Sequence, residues 1–380
     1  MPLSITLFRT YAEEGRTSID IYAESLAAAL HTEFPGECRA LHYQPHLLQV
    51  GRSGDNPTPA SLRVRVSRFA AYPLQARAVQ GDINHIVDHG YGHLVHTLDA
   101  ARTVVTVHDL IPLLQWLGKI PGAVTRAKPW LNLIPLQALP RAQHLIAVSE
   151  QTRQDLIEYC GCRPEQISVV YSGIDALFQP APAEAIAAAR QEWNMPDDGT
   201  RRILVVGSLF YKNIGGALQA VARLRQHSSE PVQVYKTGAA TEEWNRTVAE
   251  HGLHDVAHCL GFLAREKLPT LYSTVDCLLF PSLYEGAGWP PLEAMRCGCP
   301  VVVSNRAALP EMVGDAALLV DPLDTEAMAA ALHRALTDTP TRTILRDRGF
   351  ERSQSFTWER AAQQTWEVYQ RVRAHGPENS

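Results

Sequence analysis

The chain has 380 residues, 46% hydrophobic and 20% charged, with a formal net charge of −5. That length suggests two or three domains, and the composition is that of a globular protein with substantial cores. The charge argues against a general nucleic-acid role, and no run of about 18 apolar residues suggests a membrane span.

Ser4-Ile5-Thr6-Leu7-Phe8 reads as a first strand, Glu14-Gly15-Arg16-Thr17 as a turn, and Ile19, Tyr22, Ala23, Leu26 and Leu30 as the apolar stripe of a helix. The start lacks the basic region and long apolar core of a signal peptide. Gly51 to Ala60 is a loop by composition. Next comes the most basic segment, Arg63-Val64-Arg65-Val66-Ser67-Arg68-Phe69 with Tyr72 and Arg77, and no acidic residue falls between Leu62 and Gln80. It fits a solvated face, an anionic membrane surface or an acceptor-phosphate site. Asn84 to His93 is dense in histidine, which suits a zinc site or, the preferred reading, strand-end residues lining a sugar pocket.

Thr103 to Val107 is a buried strand ending at His108-Asp109, and strand carboxyl ends are where doubly wound sheets bind ligands. Asp109 is read as orienting the His108 ring. Ala142 to Ser149 and Ile167 to Tyr171 are further strands, with Ser149 capping a helix to about Cys160. Proline and alanine dominate 180–189, which reads as an interdomain linker.

A second series opens with the strand Arg201 to Gly207. The loop Ser208-Leu209-Phe210-Tyr211-Lys212-Asn213 then leads into a helix from Ile214, a strand–loop–helix anion site. Strands follow at Val232 to Gly238, His258 to Leu263 and Ala317 to Pro322. Thr325 is read as the cap of a helix to Leu336. Thr357 and Arg360 bracket the first turn of a final helix whose stripe is Trp358, Ala361, Ala362, Trp366 and Tyr369.

The most informative stretch lies between the apolar runs Cys277 to Phe280 and Pro300 to Val303. It reads Glu285-Gly286-Ala287-Gly288-Trp289-Pro290-Pro291-Leu292-Glu293, a glycine loop opening a short helix. Both prolines suit the first helical turn and Gly298 suits the end. Glycines admit a ligand to the backbone, free amides favour an anion, and carboxylates accept from hydroxyls. The ligand is therefore anionic in one part and hydroxyl-rich in another. The seven cysteines are odd in number and lie partly in apolar contexts. Their two Cys-Gly-Cys triplets lack metal-site spacing, so reduced thiols in a cytoplasm are expected.

Glu285 and Glu293, with a strand ending in Pro-Ser before them and Gly-x-Pro-Val after them, resemble the E-x7-E signature of family-four, retaining, GT-B-fold glycosyltransferases. The resemblance covers nearly the whole chain and is most specific from Gly207 to Pro322. It implies an α/β architecture of two doubly wound, Rossmann-like parallel sheets facing across a cleft. The implied layout is an acceptor-side domain over 1–180, a nucleotide-sugar domain over 190–355 and a crossover helix over 356–380. It places Glu285 and His108 at the transferred sugar and Glu293 on the ribose. Lys212 meets the phosphates, with Gly15, Gly207, Ser208, Gly286, Ala287 and Gly288 framing the nucleotide-sugar. The bland alternatives remain a simple turn at Gly15 and a capping role for Glu293. Where many members carry an arginine shortly before the lysine, this loop has Ser208 and Tyr211.

The expected activity is retaining, metal-independent transfer of a sugar, a hexose by preference, from a nucleotide-sugar to a glycan, lipid-linked or small-molecule acceptor. The chain contains no Asp-x-Asp motif. No bound cofactor, no metal and no nucleic acid are expected, and no covalent nucleophile is assigned. A catalytically silent nucleotide-sugar-binding subunit and another GT-B activity such as an epimerase are the alternatives. The expected location is cytoplasmic, with the basic segment free to touch the inner face of an anionic membrane.

Overall fold

The computed structural model describes residues 1–47, 62–121 and 130–375, so the loop inferred over 51–60 lies outside the described residues. The chain divides into two compact units. One holds Met1–Trp116, Arg126–Gly173 and Thr357–Ser380; the other holds Leu117–Thr125 and Ile174–Phe356.

In the first unit β1 (Leu3–Phe8) leads through the Gly15 turn into α1 (Thr17–Glu33) and β2 (Cys38–Tyr43). The short helices α2 (Leu62–Val66) and α3 (Tyr72–Arg77) precede β3 (Ile83–Ile86) and β4 (Thr103–Val107). Then come α4 (Ile111–Trp116), α5 (Trp130–Ala138), β5 (His144–Ala147), α6 (Glu150–Cys160) and β6 (Ile167–Val169). The strands form one parallel sheet in the order β2-β1-β3-β4-β5-β6. Every residue of β3, β4 and β5 is buried, as expected where helices cover both faces of a sheet. Ser149 caps α6 by accepting from the Thr152 amide at 3.1 Å.

The second unit runs α7 (Ala183–Glu192), β7 (Arg201–Val206), α8 (Ile214–His227), β8 (Val232–Thr237), α9 (Glu242–Glu250), β9 (Ala257–Gly261) and α10 (Leu268–Thr274). It continues with β10 (Cys277–Phe280), α11 (Trp289–Arg296), β11 (Val301–Ser304) and α12 (Leu309–Val313). Last come β12 (Leu318–Val320), α13 (Thr325–Thr337) and α14 (Thr339–Gln354). Its parallel sheet has the order β12-β11-β10-β7-β8-β9. Leu218 and Val221 of α8 share a core with Met328 and Leu332 of α13, against Ile203, Leu279 and Val302 of the strands.

The chain then returns to the first unit with α15 (Trp358–Ala374), whose expected stripe is buried. Thr357 accepts from the Arg360 amide at 3.2 Å and so caps it. Trp366 stacks on Phe34 with ring centroids 4.6 Å apart. A Cβ on Gly173 would meet the Trp358 nitrogen at 2.4 Å, so only glycine lets the chain pass the start of this helix.

Three details differ from the sequence reading. Residues 183–192 are helical, not a linker, because Ala-Glu-Ala-Ile-Ala-Ala-Ala-Arg-Gln-Glu is a run of good helix formers and the prolines stop at Pro182. Asp324, not Thr325, caps α13 by accepting from the Ala327 amide at 2.9 Å. Helices α9 and α14 had no reading, because α9 is short and α14 carries Gly349 and many charges in place of an apolar stripe. Gly349 is needed there for packing: its Cβ would stand 3.0 Å from Met295. Among the described residues no helix is long and apolar enough to cross a membrane. All seven cysteines are free.

Candidate functional site

Strand order reverses in each sheet at one place, between β1 and β3 in the first and between β7 and β10 in the second. Loops leaving adjacent strands in opposite directions open a crevice there. The motifs fall on these loops. Gly15 follows β1, Gly207 to Asn213 follows β7, and Glu285 to Gly288 follows β10.

In the second unit the β7 and β10 loops meet. The Leu283 amide donates to the Tyr211 carbonyl at 2.7 Å. Lys212 Nζ donates to Glu285 Oε1 at 2.7 Å, with both side chains 14% or less exposed. The same ammonium lies 4.8 Å from the centre of the Phe280 ring and 5.3 Å from that of Tyr211. Gly207 makes this path available. Its φ is +100°, and a Cβ there would meet Lys212 Cγ at 3.0 Å. Asn213, at φ +54°, begins α8, and its amide donates to the Pro281 and Pro322 carbonyls at 3.2 and 2.7 Å. That side chain ties the β7 loop to the ends of β10 and β12, a role not read from the sequence.

Gly288, at φ +70°, begins α11 and would clash with Leu309 at 2.7 Å if it bore a Cβ. Pro290 and Pro291 occupy the first turn as expected. They also lack N–H groups, so that turn keeps only the amides of Trp289 and Leu292. The backbone amides free to meet an anion therefore lie more in the glycine loop than on the helix. Gly286 is buried and Ala287 partly buried. Glu293 lies on the buried face of α11 and accepts from the Tyr272 hydroxyl at 3.1 Å. Burial pushes its carboxyl up to about 7, and the Tyr272 hydrogen bond and Arg265 offset this only in part. Arg265 is itself paired with Asp175 at 2.7 Å. A solvated helix-cap carboxylate would have none of this. Tyr272 sits on α10, outside the motif that drew notice.

Ser208 donates from Oγ to the Ala239 carbonyl at 3.1 Å and accepts from Lys236 Nζ at 3.0 Å. Lys236 had no reading, since it lies inside the apolar strand β8.

In the first unit Gly15 has φ +59° with nothing within 4 Å of its would-be Cβ, the geometry of a turn. Arg16 beside it pairs with Asp88 at 2.6 Å and Glu14 at 2.9 Å. His108 Nε2 donates to the Val87 carbonyl at 2.8 Å, which leaves Nδ1 without a proton in the neutral ring. Burial lowers its pKa, so the ring is neutral. Asp109 does not hold this ring through Nε2; its Oδ1 accepts from the Ile111 amide at 2.9 Å and starts α4. His85 and His93 of the histidine-dense segment are buried interior structure, whereas His89 is partly exposed. His85 bonds Tyr369 at 2.6 Å and Thr106 at 2.7 Å, and His93 meets the Arg68 carbonyl at 2.9 Å. Among the described residues no three His, Cys, Asp or Glu side chains are grouped to hold a metal ion. Arg68 is not part of a solvated face. Its guanidinium donates to the Gly90 carbonyl and lies 4.6 Å from the centre of the Tyr91 ring, whereas Arg65 and Arg77 are exposed.

Comparison with known proteins follows the same division. Residues 187–352 match the family described as glycosyl transferases group 1, and residues 21–176 match glycosyltransferase family 4. The chain is 32% identical over 377 residues to O-antigen chain mannosyltransferase B of Escherichia coli, covering 93% of this chain and 95% of that protein. It is 29% identical to the MMP alpha-(1->4)-mannosyltransferase of Mycolicibacterium hassiacum, over 93% of this chain and 84% of that one. Sucrose-phosphate synthase of Thermosynechococcus elongatus superposes with a TM-score of 0.78 at 22% identity, covering 98% and 99% of the two chains. Anabaena HepE in complex with UDP and glucose gives 0.72 at 20%, covering 97% and 99%, and both structures bear on the fold alone. Two parallel Rossmann-like sheets, two matching family profiles and a full-length mannosyltransferase relative place the chain in one family: it belongs to the family 4 type of GT-B glycosyltransferases.

Proposed function

We propose that this glycosyltransferase moves a hexose from a nucleotide-sugar to a growing glycan or lipid-linked acceptor, with retention of anomeric configuration and without a metal ion. The observation that carries the reading is the 2.7 Å contact of Lys212 with Glu285 above the Gly207 and Gly286–Gly288 loops, at the strand-order reversal of the second sheet. When the donor's glycosidic bond breaks, negative charge develops on the departing diphosphate. Lys212 and the loop amides stabilise that charge in a site sheltered from water. Glu285 then accepts from hydroxyls of the transferred sugar, and Glu293 from those of the ribose, in keeping with the E-x7-E pattern. His108, neutral and with Nε2–H committed to a carbonyl, acts in the transfer step as an acceptor through Nδ1. The names of the relatives point to mannose as the sugar and to polysaccharide assembly as the setting.

The test is incubation with UDP-, GDP- and ADP-activated sugars, with and without chelator, followed by NMR of the product's anomeric proton. One donor is expected to release its nucleoside diphosphate at a rate indifferent to chelator, giving a product of the donor's configuration. Loss of turnover on chelation overturns the metal-free step, and an inverted product overturns retention. No release from any donor overturns the reading as a whole. Peripheral contact with anionic membrane is assigned to the exposed cations Arg65 and Arg77, each worth about 1 kcal/mol near such a surface. Arg65→Glu with Arg77→Glu should abolish co-sedimentation with anionic liposomes; equal partitioning of variant and wild type overturns it.

A further inference from the structure

The second unit holds a buried lysine that the glutamate motif does not include. Lys236 is the penultimate residue of β8, with 0% of its surface exposed. Its ammonium makes three hydrogen bonds, all to neutral oxygens: Ala239 carbonyl at 2.7 Å, Ser208 Oγ at 3.0 Å and Thr237 carbonyl at 3.1 Å. The ring of Trp244 lies 5.9 Å away. No carboxylate pairs with it among the described residues. An ammonium buried without a counter-charge is costly unless something repays the lost hydration.

Its place in the sheet supplies the reason. β7 and β8 are neighbours, with Val206 opposite Thr237, so Lys236 sits directly beneath the turn that opens the phosphate loop. A Cβ on Gly238 would stand 2.6 Å from Ser208 Oγ and 3.7 Å from Lys236 Nζ, so the two loops are in close contact around this ammonium. The loop's other cation, Lys212, is already opposed by Glu285 at 2.7 Å, and Gly207 to Asn213 contains no arginine. A nucleoside diphosphate brings more than one negative charge to a loop whose own lysine is shared with Glu285.

We propose that Lys236 is the second cation of the diphosphate site: it positions Ser208 and adds, from beneath the loop, positive charge to that of Lys212, which is shared with Glu285. This rests on the reading of the site given above. Lys236 is a positioning residue, because its N–H groups are spent on the loop rather than on the ligand.

Calorimetric titration of the full chain with a nucleoside and its mono- and diphosphate, using the base that binds wild type best, tests it. Lys236→Met should weaken the diphosphate about tenfold, the size of one charge–charge contact at intermediate dielectric, and leave the nucleoside within about twofold. The dependence of diphosphate affinity on salt should become shallower. Equal loss for nucleoside and diphosphate, or no loss with an unchanged melting temperature, overturns the proposal. NMR of the Lys236 Nζ in wild type gives a second reading that needs no variant: diphosphate should move that resonance and nucleoside should not, and no movement with diphosphate overturns it. Wild type that binds no nucleoside diphosphate overturns both this inference and the donor site itself. Normal wild-type binding that falls in Lys212→Met but not in Lys236→Met overturns this inference alone.

Discussion

The carboxyl ends of the two parallel sheets each hold one strand-order reversal and are finished differently. At the first, charges are closed against one another. Asp88, 1% exposed, is bonded by Arg16 at 2.6 Å and by the Gly90 amide at 2.8 Å, while Tyr11, Tyr72 and Tyr91 pack edge to edge beside it. At the second, loops rich in glycine leave a lysine without a counter-charge and a buried glutamate whose carboxyl is pushed up to about 7. At one end the Asp88 carboxylate is satisfied by a network that fixes structure, and the other end stores unfavourable electrostatics that a ligand can relieve. The fold does not distinguish them; the loop residues do.

Breaking the satisfied network should have the largest effect on stability. Burial alone would raise the Asp88 carboxyl, but His89 and Arg16 more than offset that and hold it below the usual range. Asp88→Ala should cost about 3 kcal/mol, toward the lower end for a broken buried pair because Arg16 is 39% exposed. Denaturant unfolding measures it. A carboxylate with lowered pKa contributes stability above its unfolded value and loses it as pH falls through the folded one. The variant's deficit should therefore shrink in acid, and a deficit independent of pH would contradict the account.

Breaking the open end should instead show in turnover. Lys212→Ala is expected to lower kcat by about 10²–10³, the usual loss when one preorganised charge-stabilising group is removed. Its melting temperature should fall as well, because Glu285 is left buried without its cation. A variant with wild-type kcat would make Lys212 a structural partner of Glu285 and remove the contrast between the two ends.

Glu293 sharpens the comparison through pH. Its raised carboxyl favours the protonated fold, so its stability contribution is complete below the unfolded value near 4.5 and is lost as pH rises through about 7. The ionised form should cost the free protein about 3 kcal/mol by alkaline pH. Glu293→Gln removes that loss, so the variant should be the more stable protein at pH 8 and no more stable at pH 5. A ribose that donates two hydroxyls favours the carboxylate. Nucleotide affinity should thus rise with pH through 7 in wild type, and fall about tenfold and lose that rise in the variant. Calorimetry and thermal melts across pH 5 to 8 check both halves.

The smallest expected effect compares two glycine turns. Gly15→Ala should cost about 1 kcal/mol, the penalty of a left-handed residue with open space around it. Gly207→Ala adds a contact with Lys212 at 3.0 Å and a φ of +100° that L residues rarely adopt. It should cost about 2 kcal/mol and weaken diphosphate binding. Equal costs at both turns would mean that Lys212 moves freely aside.

Local sequence determined much of this protein. The apolar runs Thr103–Val107, Cys277–Phe280 and Val301–Ser304 could only be covered parallel strands, and glycine and proline punctuation placed the loops between them. Glu285, Glu293 and Lys212 stood out because each lies beside such punctuation. Tertiary structure decided what one-dimensional spacing cannot carry. Lys212 and Glu285 are 73 residues apart and meet only because β7 and β10 pair. Tyr272 reaches Glu293 because α10 lies alongside α11. His85 looked like a pocket residue until α15 returned Tyr369 to its ring from 284 residues away. Lys236 read as an ordinary strand residue, since burial and the lack of a counter-charge are properties of neighbours in space. Strand pairing sets those neighbours, and the pairing follows from burial of the whole sheet rather than from any one segment.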